Sequence, residues 1–253
     1  MVCSLALMGV LIQGSKSFDL KVQGELRHAL CYYGSRATSE PSPLILAFHA
    51  HGSTPNSAAR LYRIHKEWPE ATVAYLQGLP TPGTRDPNGT RAGWQANLRD
   101  HDDRDFRYAD AALAYIGTKV KVDPKRVFAV GVAEGGRFAM LLWSARPDVY
   151  AGVVAGGCRA STRDLDKGLS PKPILYFAGE KDAVLPLAES IKERARLVTL
   201  NKALPQPKPR GDAKVYAPEP GGAPVWWLQH EGGHAWPAKQ NPTIVEFLKS
   251  VGG

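Results

Sequence analysis

Arg126-Val127-Phe128-Ala129-Val130-Gly131-Val132-Ala133-Glu134-Gly135-Gly136-Arg137-Phe138-Ala139-Met140-Leu141-Leu142-Trp143 is the stretch that decides the fold. Its first five residues form a short β-branched and aromatic run, which reads as a buried strand. From Gly135 to Trp143 the apolar residues read as a buried helix. Between the two stands Gly131-Val132-Ala133-Glu134-Gly135. Strand, Gly-x-Ser-x-Gly and helix in this order make a strained turn that lifts a serine hydroxyl above the edge of a sheet. Here the serine position holds Ala133. A methyl group cannot attack a carbonyl, so serine chemistry is excluded for the chain as written.

Outward from that turn, strand-like and helix-like runs alternate. This predicts an α/β fold with a mostly parallel central sheet and helices on both faces. The 253 residues suit a single domain and leave little room for a large cap. Residues 1–15 read as a signal remnant or an edge segment, and residues 16–253 as the domain. Phe18–Val22 and His28–Tyr33 are expected to pair antiparallel at the sheet edge. Leu44–Phe48 reads as a central strand and Thr72–Leu76 as the next. Gln77–Gln95, rich in Gly, Pro, Thr and Asp, reads as a long ordered loop of the kind that carries function. Asp105 is expected to cap a helix with Phe106, Ala109, Leu113 and Ile116 on one face. Further strands are expected at Ala151–Ala155, Ile174–Ala178 and Val225–Leu228. Leu204–Gly222 reads as a solvated excursion and Thr243–Val251 as the closing helix.

Composition narrows the function class. Apolar residues make up 43% and charged residues 22%, ordinary for a soluble domain. The net charge is +8, yet the basic residues are scattered and lack interleaved aromatics, which argues against nucleic acid as a partner. No stretch reaches membrane-spanning length. Cys3, Cys31 and Cys158 contain no Cys-x-x-Cys pair, and Cys31–Cys158 is the one pairing considered, with two buried thiols the equal alternative. Met1–Ile12 has the length of a signal core without its basic flank, a lean toward a secreted or periplasmic protein.

A hydroxyl nucleophile requires a base, a group that orients the base, and donors for the oxyanion. Gly179-Glu180-Lys181-Asp182 follows one strand, and Gly232-Gly233-His234-Ala235-Trp236-Pro237 follows the last. Asp182 and His234 thus stand at the same sheet edge as Ala133, in the order nucleophile, acid, histidine. The oxyanion donors are expected from the backbone of Glu134 and from Ala50 or His51 in Phe48-His49-Ala50-His51-Gly52. Ser53 and Ser144 are too far removed to replace the missing hydroxyl, and the Glu134 side chain does not project from that spot. His101, Asp102, Asp103 and Asp105 crowd together, better explained by a solvated loop before a helix than by a cation site.

These motifs are collinear with those of a known group. From about Leu44 to Phe247 the chain resembles the α/β-hydrolase esterases of the polyhydroxybutyrate depolymerase and feruloyl or acetylxylan esterase type. The resemblance rests on Phe48-His49-Ala50-His51-Gly52, Tyr75-Leu76-Gln77-Gly78-Leu79-Pro80, Gly93-Trp94-Gln95, the Ala133 turn, Gly179–Asp182 and Gly233-His234-Ala235-Trp236-Pro237. It implies Asp182 as acid, His234 as base and Ala133 in the nucleophile slot. Trp94, Trp236 and His49 are expected to line the substrate site. It further implies a small or polymeric ester as substrate, no metal or organic cofactor, and a monomer. Ala133 is either a deliberate or recent loss of serine, or the mark of a natural pseudoenzyme that binds a polymer without cutting it.

Overall fold

The computed structural model describes residues 14–83, 85–160 and 170–252. Met1–Ile12, Cys3 and most of the proposed signal remnant lie outside the described residues. Among the described residues, ten strands form one sheet in the order β1-β2-β4-β3-β7-β8-β9-β12-β11-β10. They are β1 (Ser15–Val22), β2 (Glu25–Tyr32), β3 (Ser42–Phe48), β4 (Thr72–Leu76), β7 (Val122–Gly131), β8 (Gly152–Gly156), β9 (Ile174–Gly179), β10 (Lys208–Arg210), β11 (Ala213–Tyr216) and β12 (Val225–His230). The six central strands, from β4 to β12, run parallel. Antiparallel pairs close both edges.

The period-2 geometry of strands sorts the apolar residues onto two faces. Leu44, Leu46 and Phe48 of β3 join one core with Phe106, Phe138 and Leu197. Ile45 and Ala47 join the other with Ala58, Tyr62 and Phe247. Helices α3 (Arg104–Gly117), α4 (Glu134–Ala145) and α5 (Leu187–Leu200) therefore cover one face. Helices α1 (Pro55–Tyr62), α2 (Ile64–Glu67) and α6 (Asn241–Ser250) cover the other. Continuous apolar runs in the parallel strands follow from this double coverage. Trp226 and Trp227 split as alternation requires: Trp226 meets Phe247 edge-on and Trp227 stacks on Tyr176.

Three expectations need correction. Leu204–Gly222 is not merely a solvated excursion, because β10 and β11 extend the sheet beyond β12. Only Ala213 and Tyr216 are buried in them, so Pro and Lys masked the strand pattern. Gln77–Gln95 contains a two-residue antiparallel pair, β5 (Leu79–Pro80) with β6 (Ala92–Gly93). Asp105 does not cap α3; it lies inside the first turn, fully buried, against Arg27 at 2.8 Å. Its other oxygen accepts from the Gln95 N–H at 2.7 Å. Of the two alternatives for Cys31 and Cys158, the structure has the buried thiols.

Arg27 and Asp105 tie the antiparallel edge to α3. Burial draws the Arg27 guanidinium below its ordinary range, and Asp105 opposes that shift. Removing one partner leaves the other charge buried and unpaired, which costs about 3–5 kcal/mol. Asp105→Ala is therefore expected to lower the urea midpoint by that equivalent. An unchanged midpoint would show that water reaches the pair.

Candidate active site

The turn after β7 holds Ala133 at φ 54°, ψ −123°, a strained conformation for a residue with a Cβ. Close packing imposes it. At Gly135, a Cβ would lie 2.2 Å from the Phe48 carbonyl oxygen and 2.6 Å from that of His49. The start of α4 thus sits directly on the end of β3. Ala133 N–H donates to the Gly156 carbonyl at 2.9 Å, which anchors the turn to the end of β8.

Asp182 and His234 meet at this edge. His234 Nδ1 lies 2.8 Å from Asp182 Oδ2. Asp182 Oδ1 accepts from the N–H groups of Val184 and Leu185, both at 2.8 Å. With both oxygens engaged, the carboxylate is fixed, and it orients the imidazole with Nε2 outward. The two loops are joined by Glu180 N–H to His230 O at 2.8 Å and by Lys181 N–H to Gly232 O at 3.0 Å. Gly157, at φ 59°, lies beneath the ring; a Cβ there would stand 3.2 Å from His234 Cε1 and 3.7 Å from Val132. Since Gly156 binds Ala133 and Gly157 supports His234, one dipeptide sets both positions. His234 remains about a quarter exposed, with Asp182 nearly covered behind it.

The loop after β3 brings Ala50 and His51 beside the turn, both half-buried. His51 Nδ1 lies 2.6 Å from Glu134 Oε2, and its Nε2 lies 3.1 Å from Asp86 Oδ2. Asp86 is not legible in the sequence, because a tie across 35 positions leaves no local pattern. Asp86 also accepts from Thr90 and Arg91. Burial raises the Asp86 carboxyl, yet these hydrogen bonds hold it well below the usual carboxylate range.

His49, Trp94 and Trp236 do not line an open site; each is at most 3% exposed. His49 donates from Nδ1 to the Ala50 carbonyl at 2.7 Å, while Nε2 accepts from Gly78 N–H at 3.0 Å. Trp94 donates to the His49 carbonyl at 2.9 Å and stacks on Phe138. Trp236 donates to Asn241 at 2.7 Å and stacks on Tyr62. Their polar atoms are satisfied internally, so these side chains hold the loops rather than face a ligand. The acidic turn before α3 is likewise spent on its own backbone: Asp103 accepts from Arg99 N–H and Gln95, and Asp100 from Asn97.

A parallel sheet with an Asp-supported histidine beside a strained strand-to-helix turn is the arrangement of an α/β-hydrolase. Residues 82–207 match the Dienelactone hydrolase family. Feruloyl esterase C of Emericella nidulans is 30% identical over 159 residues, 58% of this chain and 55% of that protein. The NocK protein of Nocardia uniformis subsp. tsuyamanensis is 29% identical over 178 residues, 69% of this chain and 50% of that protein. The chain thus spans about half the length of the curated relatives it matches. Among solved structures, a ferulic acid esterase superposes with a TM-score of 0.65 at 12% identity, covering 94% of this chain and 98% of that one. Acetyl xylan esterase from Aspergillus awamori gives 0.65 at 11% identity, over 92% and 99%. The chain has the α/β-hydrolase fold, and part of it is similar in sequence to esterases.

Burial pushes His49 down to about 4 and His65 also to about 4. Between pH 6.5 and 4 the unfolded chain takes up protons that these folded histidines refuse, so stability is lost as pH falls through that window. The urea midpoint should drop between pH 7 and pH 4.5, and His49→Gln should flatten the dependence. An identical pH slope in the variant would place the proton uptake elsewhere.

Proposed function

We propose that this chain is a carboxylic ester hydrolase scaffold whose serine-bearing form acts through an acyl-enzyme. The observation that carries the reading is the 2.8 Å contact between Asp182 and His234, beside the strained Ala133 turn. In that form, Ser at position 133 attacks the ester carbonyl while His234 Nε2 takes its proton. Asp182 fixes the tautomer, and the N–H groups of Glu134 and of Ala50 or His51 receive the oxyanion. His234 then protonates the leaving alkoxide, and water, deprotonated by the same nitrogen, releases the acid. The chemistry calls for no metal or organic cofactor. The names of the similar proteins point to feruloyl and acetylxylan esters as the first substrates to try.

With Ala133 in place, the chain is expected to hold an ester without forming an acyl-enzyme. Retention of acid, base and the close-packed turn favours a recent or deliberate loss of serine. The second reading is a pseudoenzyme that binds a polyester or polysaccharide; Ala133 itself is the observation in its favour.

Ala133→Ser is expected to create hydrolysis of p-nitrophenyl acetate and butyrate, with labelling by a fluorophosphonate. His234→Ala on that background should lower kcat by a thousandfold or more, in the range of triad deletions. A folded Ala133→Ser protein with neither hydrolysis nor labelling would leave only the binding reading.

A further inference from the structure

Glu134 is placed awkwardly for an anion site. Its N–H is the proposed oxyanion donor at the head of α4, yet its own side chain carries a negative charge. Bond lengths keep a glutamate carboxylate within about 6 Å of its own N–H. A bare carboxylate there opposes the charge that the N–H is meant to receive. The structure answers this charge with His51. Its ring nitrogens face Glu134 at 2.6 Å and Asp86 at 3.1 Å. The ring is thus held between two carboxyl groups, with one nitrogen against each.

The surroundings are shaped for this clasp. At Gly83 a Cβ would lie 2.6 Å from Glu134 Oε1 and 3.1 Å from the His51 ring. At Gly93 it would lie 2.7 Å from His51 Nδ1 and 2.9 Å from Glu134 Oε2. The backbone at Gly83 and Gly93 therefore closes over both side chains, and a larger residue at either position would displace them. Gly52 N–H to Ala92 O at 2.7 Å fastens the same loop beside His51.

We infer that the His51 side chain, clasped between Asp86 and Glu134, is a positioning residue that both neutralises the Glu134 carboxylate and fixes the two anion-binding N–H groups. This rests on the esterase reading for the location of the anion site. Its ligand is a tetrahedral monoanion, the shape and charge of an ester-addition intermediate. The groups facing the clasp are the Arg137 guanidinium toward Glu134 and the neutral His49 ring toward His51, with the Asp86 carboxylate on the loop side. Burial pushes the Glu134 carboxyl up, and His51 and Arg137 pull against that shift. Without His51, Glu134 takes a proton more readily, so loss of the imidazole matters least in acid.

The test is calorimetric binding of monoethyl phenylphosphonate to the chain as it stands and to His51→Ala, Glu134→Gln and the double variant. At pH 7.5, His51→Ala should weaken binding by up to about a hundredfold, the scale of one unit charge acting over about 6 Å at a protein surface. The double variant should regain most of that loss, and Glu134→Gln alone should bind at least as tightly as the parent. At pH 5 the His51→Ala deficit should shrink; a purely structural role would keep it constant. Equal binding by all variants, no rescue in the double variant, or no binding by the parent overturns the inference. Should His51→Ala fail to fold, weakened binding by Glu134→Gln overturns it as well. Hydrolysis by Ala133→Ser is scored separately: an inactive revertant with the rescue pattern intact removes the esterase reading and keeps the anion site.

Discussion

The carboxyl edge of the sheet depends on how closely α4 begins to β3 and β7. A Cβ at Gly131 would sit 2.4 Å from the Gly135 carbonyl carbon, and one at Gly135 only 2.2 Å from the Phe48 carbonyl oxygen. These are backbone contacts, which no rotamer change relieves. The helix therefore starts where β7 ends, and residue 133 is forced to positive φ. With that start fixed, Ala133 N–H reaches Gly156, and Gly157 lies where the His234 ring rests on it. The position of the histidine thus follows from the packing of a helix 100 residues earlier in the chain.

A second layer keeps the loops in register. Its aromatic members, Trp94 and Trp236, look from sequence like ligand platforms but are anchored inward by their indole N–H groups. His49 is similarly enclosed, neutral at ordinary pH, and joins Ala50 to Gly78. The edge that remains accessible is formed by Ala133, His234, Ala50, His51 and Glu134. Neither tryptophan therefore presents an exposed aromatic face at this edge.

The sequence made the central sheet legible because the parallel strands carry short apolar runs, closed by Gly in β7, β8 and β9, and double burial leaves no polar alternation within those runs to confuse the reading. Ala133, Asp182 and His234 could be aligned because each follows such a run. The remainder was hidden for physical reasons. β11 buries only two of its four residues, and β10 buries none. Asp105 precedes an apolar helix face just as a cap does, and only its distant partner Arg27 reveals a buried ion pair. Asp86 and Glu134 acquire meaning through His51, across separations of 35 and 83 positions, where no periodicity operates.

The strain at position 133 bears on what Ala133 signifies. A non-glycine residue held at positive φ costs of the order of 1–3 kcal/mol, sustained only where the surroundings over-determine it. Here the determinants are backbone contacts at Gly131 and Gly135 and the hydrogen bond to Gly156, none of which involves the side chain at 133. Exchanging Ala133 for serine would therefore relieve no strain and remove no support. The turn, the Asp182–His234 pair and the clasped loop persist because they are held by the core and by one another. For the same reason a hydroxyl placed on the Ala133 Cβ would enter a turn whose bend is already set.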